Sequence, residues 1–335
     1  MMNATGHCEF LMAEALEQAN VRAHDSLGCL CRHTSAKQSH LALVTVSNQA
    51  YSGCVFSFVQ SAREQMQFDG PIVAMLSEDT NETVVASLRT LSNVFVLRVT
   101  PFPCMDTIRA MQYAKLFVFT VPQFRRCANV LMVDADTMLQ QAANQVVSDG
   151  VWAMEATPSH YMALRRLRPY TIPFAHYPGG AGAKLLGRGF PCARGSDSGA
   201  SGMALWATSR LPAPDAMRGQ LAAFVQTMSW PSVTDQVLYN CWFGGNMSLV
   251  DPELYSNATS QNRGGYCPPC LVVERRCHAF NKLEDDTTSR LAQIHLRLRA
   301  TLEQERLSKA ASNAQGTQAC RAVERLRLGG DEDDD

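Results

Sequence analysis

The sequence predicts an α/β domain built on a mixed, mostly parallel sheet flanked by helices, and three observations carry that prediction. Short apolar runs alternate with segments of helical pattern between residues 41 and 99. A further apolar run, Val130-Leu131-Met132-Val133, stops abruptly at Asp134-Ala135-Asp136. The loop after the first strand reads Ser47-Asn48-Gln49-Ala50-Tyr51, with no glycine-rich fingerprint. The alternation gives βαβ units with parallel strands and right-handed crossovers. A buried parallel strand that ends in carboxylates delivers them to the carboxyl edge of the sheet, where such folds bind ligands. The missing fingerprint argues against both a dinucleotide-binding fold and a P-loop.

Taken in order, residues 1–38 hold one weak helical stretch and read as an N-terminal extension. Leu41-Ala-Leu-Val-Thr-Val46 reads as a buried strand, followed by a helix over 51–65. Strands at 71–76 and 94–99 enclose a helix over 81–91, which completes a βαβαβ half. Residues 105–121 read as a helix carrying Lys115, and Val151-Trp152-Ala153-Met154 reads as a short strand. Farther on, Leu271-Val272-Val273 reads as a strand, and Leu291, Ile294, Leu298 and Leu302 recur at helical spacing in a charged segment, 287–312. That helix is a packing or association element, which leaves room for a homo-oligomer. Asp331–Asp335 is a solvated acidic tail.

Asp134 and Asp136, two residues apart, would share one face of an ideal strand and repel each other unless a cation lay between them. Hard carboxylate oxygens suit Mn²⁺ or Mg²⁺, ions that keep open positions for the phosphate oxygens of a nucleotide. The competing reading is a strand-to-loop junction in which Asp136 caps the next segment.

The flanks favour the first reading. Tyr113-Ala-Lys-Leu116, a helical segment, and then Leu131-Met-Val-Asp-Ala-Asp-Thr-Met-Leu139 resemble the core signature of the glycogenin-like and galactinol-synthase-like retaining glycosyltransferases, glycosyltransferase family 8. The resemblance covers about residues 40–285. It implies a GT-A fold with a single catalytic domain over 39–285, a UDP-sugar donor and a metal held by the Asp134-Ala135-Asp136 motif. Thr45, Asn48 and Tyr51 then correspond to the edge that holds the uracil base, and Lys115 to a lysine on the sugar nucleotide. For Tyr51 and Lys115 the other readings are helix packing and a solvated lysine.

Ser198-Gly-Ala-Ser-Gly-Met-Ala-Leu-Trp206 resembles the family's Asn-Ser-Gly-Val-Met strand, with Ser201 and Gly202 retained and Ala200 where the asparagine would stand. Asp235-Gln236 resembles the Asp-Gln pair of Asp-Gln-x-x-Leu-Asn, which implies that Gln236 orients the sugar and Asp235 binds a hydroxyl; the alternative is a helix cap. Cys277-His-Ala-Phe-Asn-Lys282 is similar to the closing His-Phe-x-Gly-x-x-Lys-Pro-Trp motif, shortened and without its Gly and Pro-Trp. The resemblance makes His278 a third metal ligand and gives Lys282 the diphosphate. Residues 155–198 depart from the family pattern as an insertion rich in Gly, Pro and basic side chains, either a lid over the phosphates, an acceptor-site element or a solvated loop.

The activity implied is metal-dependent transfer of a hexose, with retention, to a glycan, a protein or a small alcohol. Two rivals remain open. Ala200 and the eroded C-terminal motif suit a weakened protein that binds nucleotide sugar, and a nucleotidyltransferase also places a metal on a related fold.

Composition sets the outer limits. In 335 residues, 46% hydrophobic and 18% charged residues describe a globular chain, and a net charge of −1 supplies no pull toward nucleic acid. No window approaches the ~18 apolar residues of a membrane span, so the chain as written reads as cytoplasmic, or as Golgi or secretory-luminal if an N-terminal anchor is missing. Twelve scattered cysteines are expected to be mostly buried thiols. Cys267-Pro-Pro-Cys270 has zinc-ligand spacing but lacks a well-spaced second pair, which favours a disulfide or free-thiol loop. Asn-x-Ser/Thr sequons occur at Asn3, Asn81, Asn246 and Asn257.

Overall fold

A computed structural model of the protein describes residues 21–23, 30–31, 41–99, 111, 114–119, 121–139, 143–166, 199–226, 235–243, 245–250, 255–257 and 272–274. Its strands are, in chain order, β1 (Val21–Ala23), β2 (Leu41–Ser47), β3 (Ile72–Ser77), β4 (Val94–Val99), β5 (Asn129–Asp134), β6 (Thr137–Leu139), β7 (Met162–Arg166), β8 (Gly199–Ala207), β9 (Met247–Val250), β10 (Tyr255–Asn257) and β11 (Val272–Glu274). The helices are α1 (Ser52–Glu64), α2 (Glu82–Thr90), α3 (Ala143–Glu155), α4 (Pro214–Gln226) and α5 (Asp235–Trp242).

An eight-stranded sheet in the order β1-β4-β3-β2-β5-β8-β7-β9 forms the centre, and β10-β11-β6 make a second, three-stranded sheet. β2 pairs in parallel with β3 and β5, and β3 with β4, as expected of a βαβαβ half. β8 runs antiparallel to both β5 and β7, which makes the sheet mixed. The central strands are buried along nearly their whole length because apolar side chains leave both faces. One face packs under Phe58 and Val59 of α1, Val85 and Leu88 of α2 and Met154 of α3. The other packs under Leu116, Val118, Met217 of α4 and Tyr239 of α5. Trp206 from β8 meets Tyr239 and Phe243 there edge to face at 5.9 and 5.1 Å, the geometry that ring quadrupoles favour.

Local chemistry fixes the ends of the elements. The Asn81 side chain caps α2 by accepting the Thr83 N–H at 2.7 Å. Arg98, buried in β4, donates to the Ser77 carbonyl at 2.8 Å and pairs with Glu82 at the start of α2. The guanidinium thus ties β3, β4 and α2 together, satisfying a charge that burial would otherwise penalise.

Several expectations need correction. Val151–Met154 is the end of α3, not a strand: Val147, Val151 and Met154 recur at helical spacing against the core while Trp152 is 71% exposed. A four-residue apolar run carries too few positions to separate the two periods. Lys115–Phe119, expected within a long helix, is a 3₁₀ segment. The insertion 155–198 contributes β7 to the main sheet. Within the expected N-terminal extension, β1 pairs with β4, Leu30 is fully buried, and Cys31 forms a disulfide with Cys127. The four described cysteines, Cys31, Cys54, Cys127 and Cys241, are all disulfide-bonded, which overturns the expectation of buried thiols for them. Among the described residues no helix is long and apolar enough to cross a membrane. Cys267, Cys270 and residues 286–335 lie outside the described residues.

Candidate functional site

The carboxyl end of β5 is where the two sheets meet. Asp134 is the last residue of β5, Ala135-Asp136 form the turn, and Thr137 begins β6 in the small sheet. The two carboxylates therefore do not share a strand face as an ideal extended run would place them; Asp136 hangs on the turn. Both are partly buried. β6 is anchored from the other side, where the Ser61 hydroxyl of α1 accepts the Leu139 N–H at 3.0 Å. This bond fixes the residue at the far end of β6 and so limits how the turn can move.

Lys115 meets Asp134 across the sheet face, Nζ to Oδ1 at 2.5 Å, with side-chain exposures of 8% and 25%. A charge-assisted pair this short and this buried compensates one carboxylate of the motif from within the protein. Removing one partner of such a pair leaves the other charge in a medium that solvates it poorly. Lys115→Met is expected to lower unfolding free energy by about 2 kcal/mol, discounted from the fully buried case because Asp134 keeps some solvent. Urea denaturation checks this, and a loss below about 0.5 kcal/mol would mean that the pair is solvated.

β8 supplies the opposite wall. Met203 pairs with Val133, so Gly202 and Ser201 run beside Asp134. The β7–β8 register shifts here, from Leu164 opposite Ala204 to Arg165 opposite Ala200, an irregularity of the kind that re-aims side chains next to binding sites. Ser201 is buried and Gly202 partly exposed. Gly199 has no room for a side chain: a Cβ there would lie 2.5 Å from the Leu164 side chain.

The residue that holds this wall is not one the sequence singles out. Asn240 of α5, fully buried, accepts the Gly199 N–H at 2.7 Å and donates to the Gly199 carbonyl at 2.8 Å, with a further bond to the Gln236 carbonyl at 2.7 Å. One amide thus docks α5, with Asp235 and Gln236 in its first turn, onto the start of β8. Asn240 is the last residue of the Asp-Gln-x-x-Leu-Asn likeness, the one available signal. Asn240→Leu is expected to cost about 3 kcal/mol in a chemical denaturation curve, since it orphans buried Gly199 groups at ~1–3 kcal/mol each. An unchanged midpoint would show that water replaces the amide.

The β2–α1 loop forms the third side. Asn48, at the end of β2, accepts the Tyr51 N–H at 3.1 Å and so caps the 3₁₀ turn Gln49–Tyr51. Tyr51 is partly buried against the α1 core. Thr45 is placed differently from what an edge residue needs: it is fully buried, and strand alternation puts its side chain with Leu43, on the face opposite Asp134. Its hydroxyl has no hydrogen-bond partner among the described residues, nor has that of Thr137, the residue after Asp136.

His278 and Lys282 lie outside the described residues, as does most of the insertion, 167–198. β11 pairs antiparallel with β6, with Glu274 opposite Thr137, so the chain leaves β11 beside the Asp136 turn. Among the described residues no three His, Cys, Asp or Glu side chains come together as a metal site.

No family model matches the chain, and no curated protein matches it in sequence. Among solved structures, the galactosyltransferase LgtC in complex with donor and acceptor sugar analogues is similar at 13% identity, TM-score 0.52, over 78% of this chain and 95% of that one. An active-site variant of LgtC gives the same values, TM-score 0.52 at 13% identity over 78% and 95%. Mouse xyloside xylosyltransferase 1 is found at 12% identity and TM-score 0.45, over 71% of this chain and 98% of that one. At such identities the likeness to LgtC is one of fold, and the fold is the GT-A type of glycosyltransferases.

Proposed function

We propose that this protein is a metal-dependent retaining glycosyltransferase, of the family 8 type, that moves a hexose from a UDP-sugar to a hydroxyl of a glycan, a protein or a small alcohol. The observation that carries the reading is the pair Asp134 and Asp136 at the carboxyl edge of a GT-A sheet, with a buried lysine against the first of them. The donor set fits the cation: both side chains offer hard oxygens, and Lys115 already balances one charge, so the motif need not be neutralised by the metal alone. Asp134 and Asp136 would hold Mn²⁺ or Mg²⁺, joined by His278. When bound, the cation supplies Lewis-acid stabilisation of charge on the leaving diphosphate.

The rest of the chemistry falls to the chain. Asn48 and Tyr51 frame the base, while Thr45 is held in the β2 ladder with its side chain in the core. Gly202 allows close approach of the donor to the β8 backbone, and the Ser201 hydroxyl hydrogen-bonds the sugar. Gln236 orients the sugar and Asp235 binds one of its hydroxyls, both at the start of α5. Lys115 and Lys282 add positive charge toward the diphosphate. The acceptor hydroxyl attacks from the face that the diphosphate leaves, and the departing diphosphate takes its proton.

The test is release of UDP from a panel of UDP-sugars with Mn²⁺ and with EDTA. Slow hydrolysis of one donor, abolished by EDTA, is expected and would name the sugar. Ala200, in the place of an amide that meets the sugar in relatives, favours one second reading, a binding protein with little turnover. Calorimetry that finds tight UDP binding with Mn²⁺ but no turnover would select it, and no binding at all would remove both readings.

A further inference from the structure

We propose that Asn81 carries an N-linked glycan, acquired in the oxidising compartment where the chain folds. The cysteines point to that compartment. All four described ones are disulfide-bonded, and the Cys31–Cys127 bridge joins residues 96 apart in sequence. Bonds of this kind form and persist in secretory lumens and are rare in reducing cytosol. The same lumen glycosylates Asn-x-Ser/Thr.

The sequons are not equivalent there. In Asn81-Glu82-Thr83 all three residues are exposed, at the turn between β3 and α2. The Asn81 Oδ1 is used, accepting the Thr83 N–H at 2.7 Å, and its backbone N–H donates to the Gln49 side chain at 2.7 Å, but the side-chain amide nitrogen has no partner among the described residues. Glycosylation needs that nitrogen and spares the oxygen. In the transfer, the amide nitrogen forms a bond to the anomeric carbon of a lipid-diphosphate-linked oligosaccharide and loses a proton, while the bond from that carbon to the diphosphate breaks and the lipid diphosphate departs. The amide keeps its carbonyl, so the cap of α2 survives the modification.

Asn246-Met247-Ser248 is built the other way. The Ser248 hydroxyl is buried, donates to the Ala153 carbonyl at 3.0 Å and lies 2.9 Å from His160 Nδ1. The Asn246 side chain bonds to Tyr161. A glycan on Asn246 would have to displace packing between α3, β7 and β9. Asn257 sits in β10, and Asn3 lies outside the described residues.

The experiment is peptide mapping of the full-length protein from the cells that make it, before and after peptide N-glycosidase in heavy-oxygen water. The peptide spanning residue 81 is expected as heavy-oxygen aspartate after treatment only, and the peptide spanning residue 246 as unmodified asparagine throughout. Two variants separate glycan from fold. Asn81→Asp keeps a helix-capping oxygen and Thr83→Val keeps Asn81, yet each is expected to lose one glycosidase-sensitive mobility step. Recovery of unmodified Asn81 as the main form in untreated protein, or an unchanged mobility ladder in either variant, would overturn the proposal. Alkylation of Cys31 and Cys127 as free thiols without reduction would overturn its compartment.

Discussion

Asp136→Ala is expected to lower donor turnover by about 10³-fold or more, roughly 4 kcal/mol of transition-state stabilisation. Asp134 is engaged by Lys115 within the protein, so its loss would break a buried ion pair and mix folding with chemistry. Asp136 stands in the turn, outside the ladder bonds of both sheets, and its substitution leaves β5 and β6 to pair as before. The unfolding midpoint, measured beside UDP release, separates any loss of fold from the loss of chemistry. Asp136→Asn keeps the size and one oxygen but loses the charge, and should recover little. Turnover within tenfold of the wild type, in a protein of unchanged stability, would end the metal-site reading.

The second large effect is structural. The double variant Cys31→Ala/Cys127→Ala is expected to lose about 4 kcal/mol of stability. The bridge closes a loop of sequence separation 96, and for loops near that length the chain-entropy model gives about 4.7 kcal/mol. That loop contains β2, α1, β3, α2 and β4, and so three of the eight strands of the main sheet. Cys127 is almost fully buried, and Leu30 beside Cys31 reaches the core, so packing lost at both ends adds to the entropy. Urea curves of the wild type under reductant should move at least as far as those of the double variant, because the bonds of Cys54 and Cys241 are reduced as well. A difference below about 1 kcal/mol between oxidised and reduced protein would show that the N-terminal segment docks without the bond.

The first half of the fold is legible in the sequence because each of its strands is an apolar run bounded by polar turns, and β2, β3 and β4 fall where those runs lie. The motif at Asp134 is legible for the same reason, since a buried run that ends in charge announces the sheet edge. Other features need contacts that no local pattern carries. The short run Val151–Met154 fits either period, and only the packing of Val147 and Met154 identifies a helix. Thr45 reads as an edge residue until the register with Val133 fixes its face. The bridge between Cys31 and Cys127, the ion pair of Lys115 with Asp134, and the grip of Asn240 on Gly199 all join residues far apart in the chain.

β5 carries the Asp134 motif at one end, and just before its other end lie Cys127 and the Arg125 guanidinium, which donates to the carbonyls of Thr208 and Leu211 at 2.7 Å. The strand between them spans roughly 17 Å. Groups that far apart with no shared partner contribute independently. The bridge and the Arg125 bonds therefore fasten one rim while the Asp134 motif stands at the other, so that sequence drift at the fastened rim can change how long the protein lasts without touching the groups around Asp134.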